Sequence, residues 1–247
     1  MRIARIRHEG RVHLARIESD SVVLIASESR LPRADVAIDA IIDGTDLAAD
    51  GVHIPLSAAT LLAPVVRPGK IIAVGLNYAE HADESEMDLP SAPLLFSKPA
   101  TAIVGPNEPV RWAAADSSQA DYEAELAVVI GTTASGELED PMKHVFGYSC
   151  CNDFSARDAQ FADGQWVRGK SFDTFFPIGP WIVTPDEFGD PQDHAIGIDV
   201  TDRSGETVRL QDGNTRHMIF GIADIISYIA RFITLEPGDV IATGTPD

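Results

Sequence analysis

The chain has 247 residues, 45% hydrophobic and 23% charged, a composition typical of globular domains and too apolar for a disordered chain. At this length about three quarters of the unfolded surface can be buried, so neither disulfides nor a structural metal is required for folding. With 38 acidic against 19 basic residues, the formal charge of −19 argues against DNA, RNA or an anionic membrane surface as partner, while one cation in a cleft still admits a small anion.

Met1 to His8 carries charges every two or three positions and offers no apolar segment for a secretion signal. From Arg2 to about Ile25, charged and apolar positions alternate, with turns at Glu9-Gly10 and Ser19 to Ser21; this predicts short strands. A polar, proline-containing stretch leads to Pro68-Gly69, followed by a compact apolar strand from Lys70 to Val74 that Gly75 stops. A boundary near residue 65 is expected, with a small N-terminal β-rich subdomain over 1–65 and a larger catalytic domain over 66–247. A short helix is predicted from about Asn77 to Glu84, where Asn77 and Glu80 have capping-box spacing. Strands are predicted at Val128 to Ile130, Val145 to Cys151, Ile182 to Thr184, Ile196 to Thr201 and Asp239 to Thr243, each bounded by Gly, Pro or Asp or by a change of pattern. A second helix near Ile222 to Phe232 sets Ile222, Ile225, Ile226 and Ile229 in one apolar stripe for core packing. No apolar run is long enough to span a membrane. Cys150 and Cys151 are adjacent, badly placed for an ordinary disulfide, and indicate a reducing, cytoplasmic setting. Without regular strand–helix alternation, a Gly-x-Gly-x-x-Gly turn or a Walker loop, the expected class is α+β, mostly β, with a closed or rolled mixed sheet and few helices.

Candidate chemistry concentrates in the middle of the chain. Asp121, Glu123 and Glu125 recur at every second position, so an extended segment projects all three from one face. The commoner reading of such a pattern is a solvated strand face with Tyr122, Ala124, Leu126, Val128 and Ile130 in the core. Ala127 and Val129 continue the carboxylate face and point to its burial, where like charges ~7 Å apart repel by ~2 kcal/mol at an effective dielectric of ~20 and a cation relieves the strain. Asp153, directly after a strand, adds a third carboxylate for a hard-oxygen site suited to Mg²⁺, Mn²⁺ or Ca²⁺, or else serves as a helix cap. His81 and Glu84, three apart on the short helix, form either a general-base dyad or an exposed surface pair. Lys98 and Lys170 are flanked by bulky apolar residues in a chain poor in cations, and suit oxyanion or carboxylate stabilisation if drawn inward; a snorkelling surface lysine is the alternative. Cys150 and Cys151 lack an obvious base partner and read as packing residues.

These segments form a series: Gly75-Leu-Asn-Tyr-Ala-Glu-His81, Leu95-Phe-Ser-Lys-Pro99, Tyr122-Glu-Ala-Glu-Leu126, Asn152-Asp-Phe-Ser-Ala-Arg-Asp158, Gly169-Lys-Ser-Phe-Asp173 and Thr243-Gly-Thr-Pro246. In content, order and approximate spacing the series resembles the fumarylacetoacetate hydrolase family from about residue 70 to the end. The resemblance implies a mixed β-roll catalytic domain, usually dimeric, with Mg²⁺ or Mn²⁺ held by Glu123, Glu125 and Asp153. It implies that His81 and Glu84 activate water from a short helix over the substrate, and that Lys170 lies beside the metal and the reacting oxygen. It also implies that Thr245 and its loop hold the substrate's carboxylate end, with Lys98 and Gln160 lining the same pocket. The family pattern continues past the point matching Asp247 with a Gly-rich turn and further strands, so a segment completing the sheet is expected to be missing here.

The expected activity is divalent-metal-dependent C–C bond hydrolysis of an acylpyruvate-like 2-oxo acid through a metal-stabilised enolate. Oxaloacetate decarboxylation and 2-hydroxyhepta-2,4-diene-1,7-dioate isomerisation use the same kind of site, and a non-catalytic metal-binding member of the fold is the rival from another class.

Overall fold

The computed structural model describes residues 1–27, 51–79 and 89–246. Most of the predicted helix from Asn77 to Glu84 therefore lies outside the described residues, His81 and Glu84 included. The alternating N-terminal segment forms a meander of β1 (Arg2–His8), β2 (Arg11–Glu18) and β3 (Ser21–Ser27), turning where Glu9, Gly10 and Ser19 have positive φ. β4 (His53–Pro55) pairs with β3, and β5 (Thr60–Leu62) with β1.

The remaining strands are β6 (Ile71–Gly75), β7 (Leu94–Lys98), β8 (Ile103–Val104), β9 (Ala120–Asp121), β10 (Ala124–Ile130), β11 (Val145–Asn152), β12 (Ser155–Ala156), β13 (Phe176–Val183), β14 (Ala195–Thr201), β15 (Thr207–Asn214) and β16 (Val240–Ala242). The main sheet runs β4-β3-β2-β1-β13-β11-β10-β16-β6-β7. It is mixed, since β16 and β6 are parallel, as are β13 and β8, while the other pairs are antiparallel. β1 pairs with β13, so the N-terminal meander and the later strands share one sheet. This is the mixed, mostly β class expected from the sequence. β14 and β15 form a separate hairpin.

Strand alternation explains the core. Leu126, Val128 and Ile130 of β10 join Ile72 and Val74 of β6 in a cluster with Ile222, Ile225, Ile226 and Ile229, the apolar stripe of the helix Ile222–Ala230. Those isoleucines are at most 1% exposed, each worth about 1.5–3 kcal/mol of transfer free energy. Ala127 and Val129 face the other way and pack with Ile71, Ala73, Val240 and Ala242. β10 is thus buried on both faces, with the Ile222–Ala230 helix packed on one and the second cluster on the other, and the reading of a half-solvated strand does not hold. No described helix is long and apolar enough to cross a membrane.

Candidate functional site

In the β10–β11 ladder, Ala124 is opposite Asn152 and Glu125 opposite Cys151. One step further, the Asp153 N–H donates to the Glu123 carbonyl at 2.9 Å, so Glu123 and Asp153 face each other across the strands. Two-residue alternation then gives Glu123, Glu125, Cys151 and Asp153 a common face, the one that continues into Ala127 and Val129. A one-residue slip in register would move every one of them to the opposite face.

Glu123, Glu125 and Asp153 are 5%, 3% and 0% exposed, and their carboxylate oxygens lie within 4.8 Å of one another. Asp121 stands apart, contrary to the period-two expectation. The chain breaks between β9 and β10, Asp121 pairs with Ser155 of β12, and its carboxylate is partly solvated beside Arg157.

Three cations meet this trio. Lys170 ends the helix Val167–Lys170. A Cβ on Gly169 would lie 2.6 Å from the Gln160 nitrogen, so this helix presses on the backbone of the helix Arg157–Ala162, an approach only glycine permits. Lys170 Nζ thereby donates to Glu123 and, at 2.8 Å, to Asp153. Lys98, at the end of β7, donates to Asp153 and to the Phe154 carbonyl. Arg157 donates to Glu123 at 2.6 Å, to Asp121 at 3.0 Å and to Gln160 at 3.1 Å.

Charge and burial compete here. Burial, reinforced by Asp153 and Glu123, pushes the Glu125 carboxyl well above its ordinary value, although the Lys170 charge and then the Gly244 N–H at 3.0 Å oppose this. Burial also acts upward on Asp153, but Lys170 and Lys98 outweigh it and hold that carboxyl below the usual range. Burial lowers Lys98 despite Asp153, whereas for Lys170 the two carboxylates overcome burial and raise it. Burial drives the Cys151 thiol well upward, so it stays protonated and is a poor ligand.

The donor set fits a hard divalent cation, with three buried carboxylates and, among the described residues, no nitrogen ligand and no thiolate. Two buried lysines and Arg157 face Glu123, Asp153 and a Glu125 carboxyl whose raised value favours its neutral form, so the cations at least match the negative charge of the trio. A divalent ion would therefore leave a positive surplus, suited to an anionic small molecule.

The carboxylates open onto a cavity of about 480 Å³ whose wall includes Lys170, Arg157, Gln160, Thr245, Phe96 and Trp166. Phe96 and Trp166 make an edge-to-face pair at 5.3 Å, and Lys170 Nζ lies 5.1 Å from the Phe96 ring centre. Lys170, Gln160 and Thr245 line this cavity. Lys98 does not. Its side chain is fully enclosed and committed to Asp153 and Phe154, so it supports a carboxylate and does not line the pocket.

Three contributors escaped sequence reasoning. Arg157 lay within a quoted motif without an assigned role. Asn77 donates to the Thr243 and Phe220 carbonyls at 2.7 and 3.1 Å and braces the Thr243–Pro246 loop, where Gly244 adopts φ +97° and a Cβ would lie 2.7 Å from that of Asn77. Gln211 reaches the same loop from β15. The signal for Arg157 was a cation among carboxylates; Asn77 and Gln211 reach the loop through contacts across 166 residues and 34.

The description "fumarylacetoacetate hydrolase C-terminal" belongs to a family model that matches residues 70–247, and an Rv2993c-like N-terminal model matches residues 1–64. The chain is 47% identical over 185 residues to a 2,4-didehydro-3-deoxy-L-rhamnonate hydrolase of Sphingomonas sp. strain SKA58, covering 74% of this chain and 63% of that protein. It is 45% identical over 202 residues to the mitochondrial oxaloacetate tautomerase Fahd2a of Rattus norvegicus, covering 81% and 63%. The chain therefore spans just under two thirds of the length of these two relatives. A solved maleylpyruvate hydrolase from Sphingobium sp. SYK-6, in complex with manganese(II) and pyruvate, matches with a TM-score of 0.78 and 31% identity, covering 100% of this chain and 89% of that one.

Proposed function

The chain belongs to the fumarylacetoacetate hydrolase family, and from that premise we propose that it is a divalent-metal-dependent enzyme hydrolysing a C–C bond in a small acylpyruvate-like 2-oxo acid. The observation that carries the reading is the buried trio of Glu123, Glu125 and Asp153 opening, with Lys170, onto one cavity. The manganese and pyruvate named for the Sphingobium hydrolase support both the metal and the 2-oxo acid.

Mg²⁺ or Mn²⁺ held by the three carboxylates would supply Lewis-acid polarisation of the substrate's 2-oxo group. The chain's own groups do the rest. Lys170, at the trio and on the cavity wall, stabilises the negative charge that develops on the 2-oxo oxygen as the bond breaks. Thr245 and Gln160 offer neutral hydrogen-bonding groups to the substrate's carboxylate end, and Phe96 with Trp166 shields it from water. His81, oriented by Glu84, takes the proton from the attacking water in this proposal.

A second reading is tautomerisation of oxaloacetate, which the rat relative favours, or its decarboxylation on the same site. It needs the same charge stabilisation but no hydrolytic water. A cytoplasmic setting is proposed from the free Cys150 and Cys151, and a homodimer from the exposed Val200, Val208 and Leu210 of the hairpin. Pyruvate release from acetylpyruvate and oxaloacetate by metal-stripped protein, with and without Mg²⁺ or Mn²⁺, tests the proposal. Metal-dependent release from acetylpyruvate is expected. Release from oxaloacetate alone would favour decarboxylation, conversion of enol to keto oxaloacetate without pyruvate would favour tautomerisation, and silence on both substrates would remove the hydrolase.

A further inference from the structure

β15 is exposed along most of its length, with one exception: Gln211, a polar residue, is buried among exposed neighbours. A register shift brings this about, since Ile198 is opposite Gln211 but Asp199 is opposite Arg209, which leaves Leu210 as the extra residue of a bulge. Bulges re-aim side chains, and here the amide is turned inward. The hairpin also approaches the loop closely, because a Cβ on Gly213 would lie 2.4 Å from Pro246 Cβ.

The partners of Gln211 fix which way round its amide sits. Its Oε1 accepts from the Ala124 N–H at 2.8 Å, a group that can only donate. Its Nε2 therefore faces the Pro246 carbonyl at 2.7 Å and Thr245 Oγ1 at 2.9 Å, and both of its N–H groups are used. Thr245 Oγ1 is thus an acceptor towards Gln211, and its own proton must go elsewhere. Among the described residues the proton's acceptor is the Pro246 carbonyl at 3.3 Å, long for an O–H···O bond and shared with the shorter bond from Gln211. The other direction is the cavity, whose wall includes Thr245.

We infer that Gln211 is a positioning residue that sets the polarity of Thr245, so that this hydroxyl donates its proton to a carboxylate oxygen of the bound ligand. The inference rests on the 2-oxo acid reading of the site. The ordering runs from a backbone N–H of the carboxylate strand, through a neutral amide on a separate hairpin, to the loop. A carboxylate at position 211 keeps the bond to Ala124 but reverses the other end. It forces the Thr245 hydroxyl to donate backwards and away from the ligand.

The experiment is calorimetric titration of oxalate, a dianionic mimic of a 2-oxo acid enolate, into Mn²⁺-loaded protein, with Mn²⁺ affinity measured separately. Gln211→Glu is expected to weaken oxalate by roughly tenfold to a hundredfold, the range of one hydrogen bond to a charged group, with Mn²⁺ affinity unchanged. Thr245→Val is expected to weaken oxalate similarly, Thr245→Ser to bind as wild type, and the Gln211→Glu/Thr245→Val double variant to be no weaker than Thr245→Val. Gln211→Met, which keeps the side-chain length without the amide, carries the same test should Gln211→Glu fail to fold. Wild-type oxalate affinity in the Gln211 variants, or losses that multiply in the double variant, would overturn the inference while leaving the 2-oxo acid reading intact. Absence of oxalate binding by the Mn²⁺-loaded wild type would instead remove that reading and this inference with it.

Discussion

Replacing Lys170 by Met removes the cation shared by Glu123 and Asp153 while keeping the length and apolar bulk of the side chain. Lys170 is 2% exposed, and its carboxylate partners are 5% and 0% exposed, so the pair is largely desolvated. Breaking a buried ion pair by deleting one partner costs about 3–5 kcal/mol, because the remaining charge stays desolvated. In metal-free protein this is a fall in melting temperature of ~6–20 °C for a chain of this size. A divalent cation among the same carboxylates substitutes for the lost ammonium, so Mg²⁺ or Mn²⁺ is expected to restore most of the loss and to stabilise the variant more than the wild type. Thermal melts of both proteins, in chelator and in excess metal, measure this difference. Equal metal-free melting temperatures, or a deficit that metal leaves untouched, would show that Lys170 and the cation do not compete for one electrostatic role.

Glu123→Ala removes one of the three carboxylates and is expected to weaken Mn²⁺ by more than the ~10–100-fold typical of residues behind the ligands, with loss of turnover; isothermal titration decides it. His81→Ala is expected to lower hydrolysis by about 10²–10⁴-fold, the worth of a general base, with Mn²⁺ affinity preserved, and unchanged turnover would take His81 out of the mechanism. The raised Glu125 carboxyl fixes a pH dependence. Above its ordinary value of 4.5, the metal-free folded state holds a proton that the unfolded chain has released, so its stability falls as pH rises through the raised value. Metal binding expels that proton, so the metal-induced gain in melting temperature is expected to grow with pH above 4.5, and a gain independent of pH would contradict the assignment.

The carboxylate trio was legible because local periodicity and sheet register act together. Glu123 and Glu125 share a face by strand geometry alone, and Asp153 joins them because it follows the strand that pairs with theirs. Asp121 obeyed the same periodicity and was excluded by a break that the spacing does not encode. The charge of Lys98 was visible, but its direction was not, since a lysine behind a carboxylate and one in front of it have the same sequence context. Asn77 and Gln211 were invisible for another reason: each acts through backbone groups far along the chain, brought near by the order of strands. The bulge that turns Gln211 inward has no strong local signature either, because the strand around it reads as an ordinary exposed hairpin.

The central claim is that Glu123, Glu125 and Asp153 together hold a divalent ion facing the cavity. The most direct test is anomalous diffraction at the manganese edge from crystals grown with Mn²⁺ and oxalate. One strong peak is expected at about 2.0–2.6 Å, the span of hard divalent ions, from an oxygen of each of the three carboxylates, with oxalate beside it and Thr245 within hydrogen-bonding distance of oxalate. No peak among these carboxylates, with Lys170 still bridging Glu123 and Asp153, would contradict that claim.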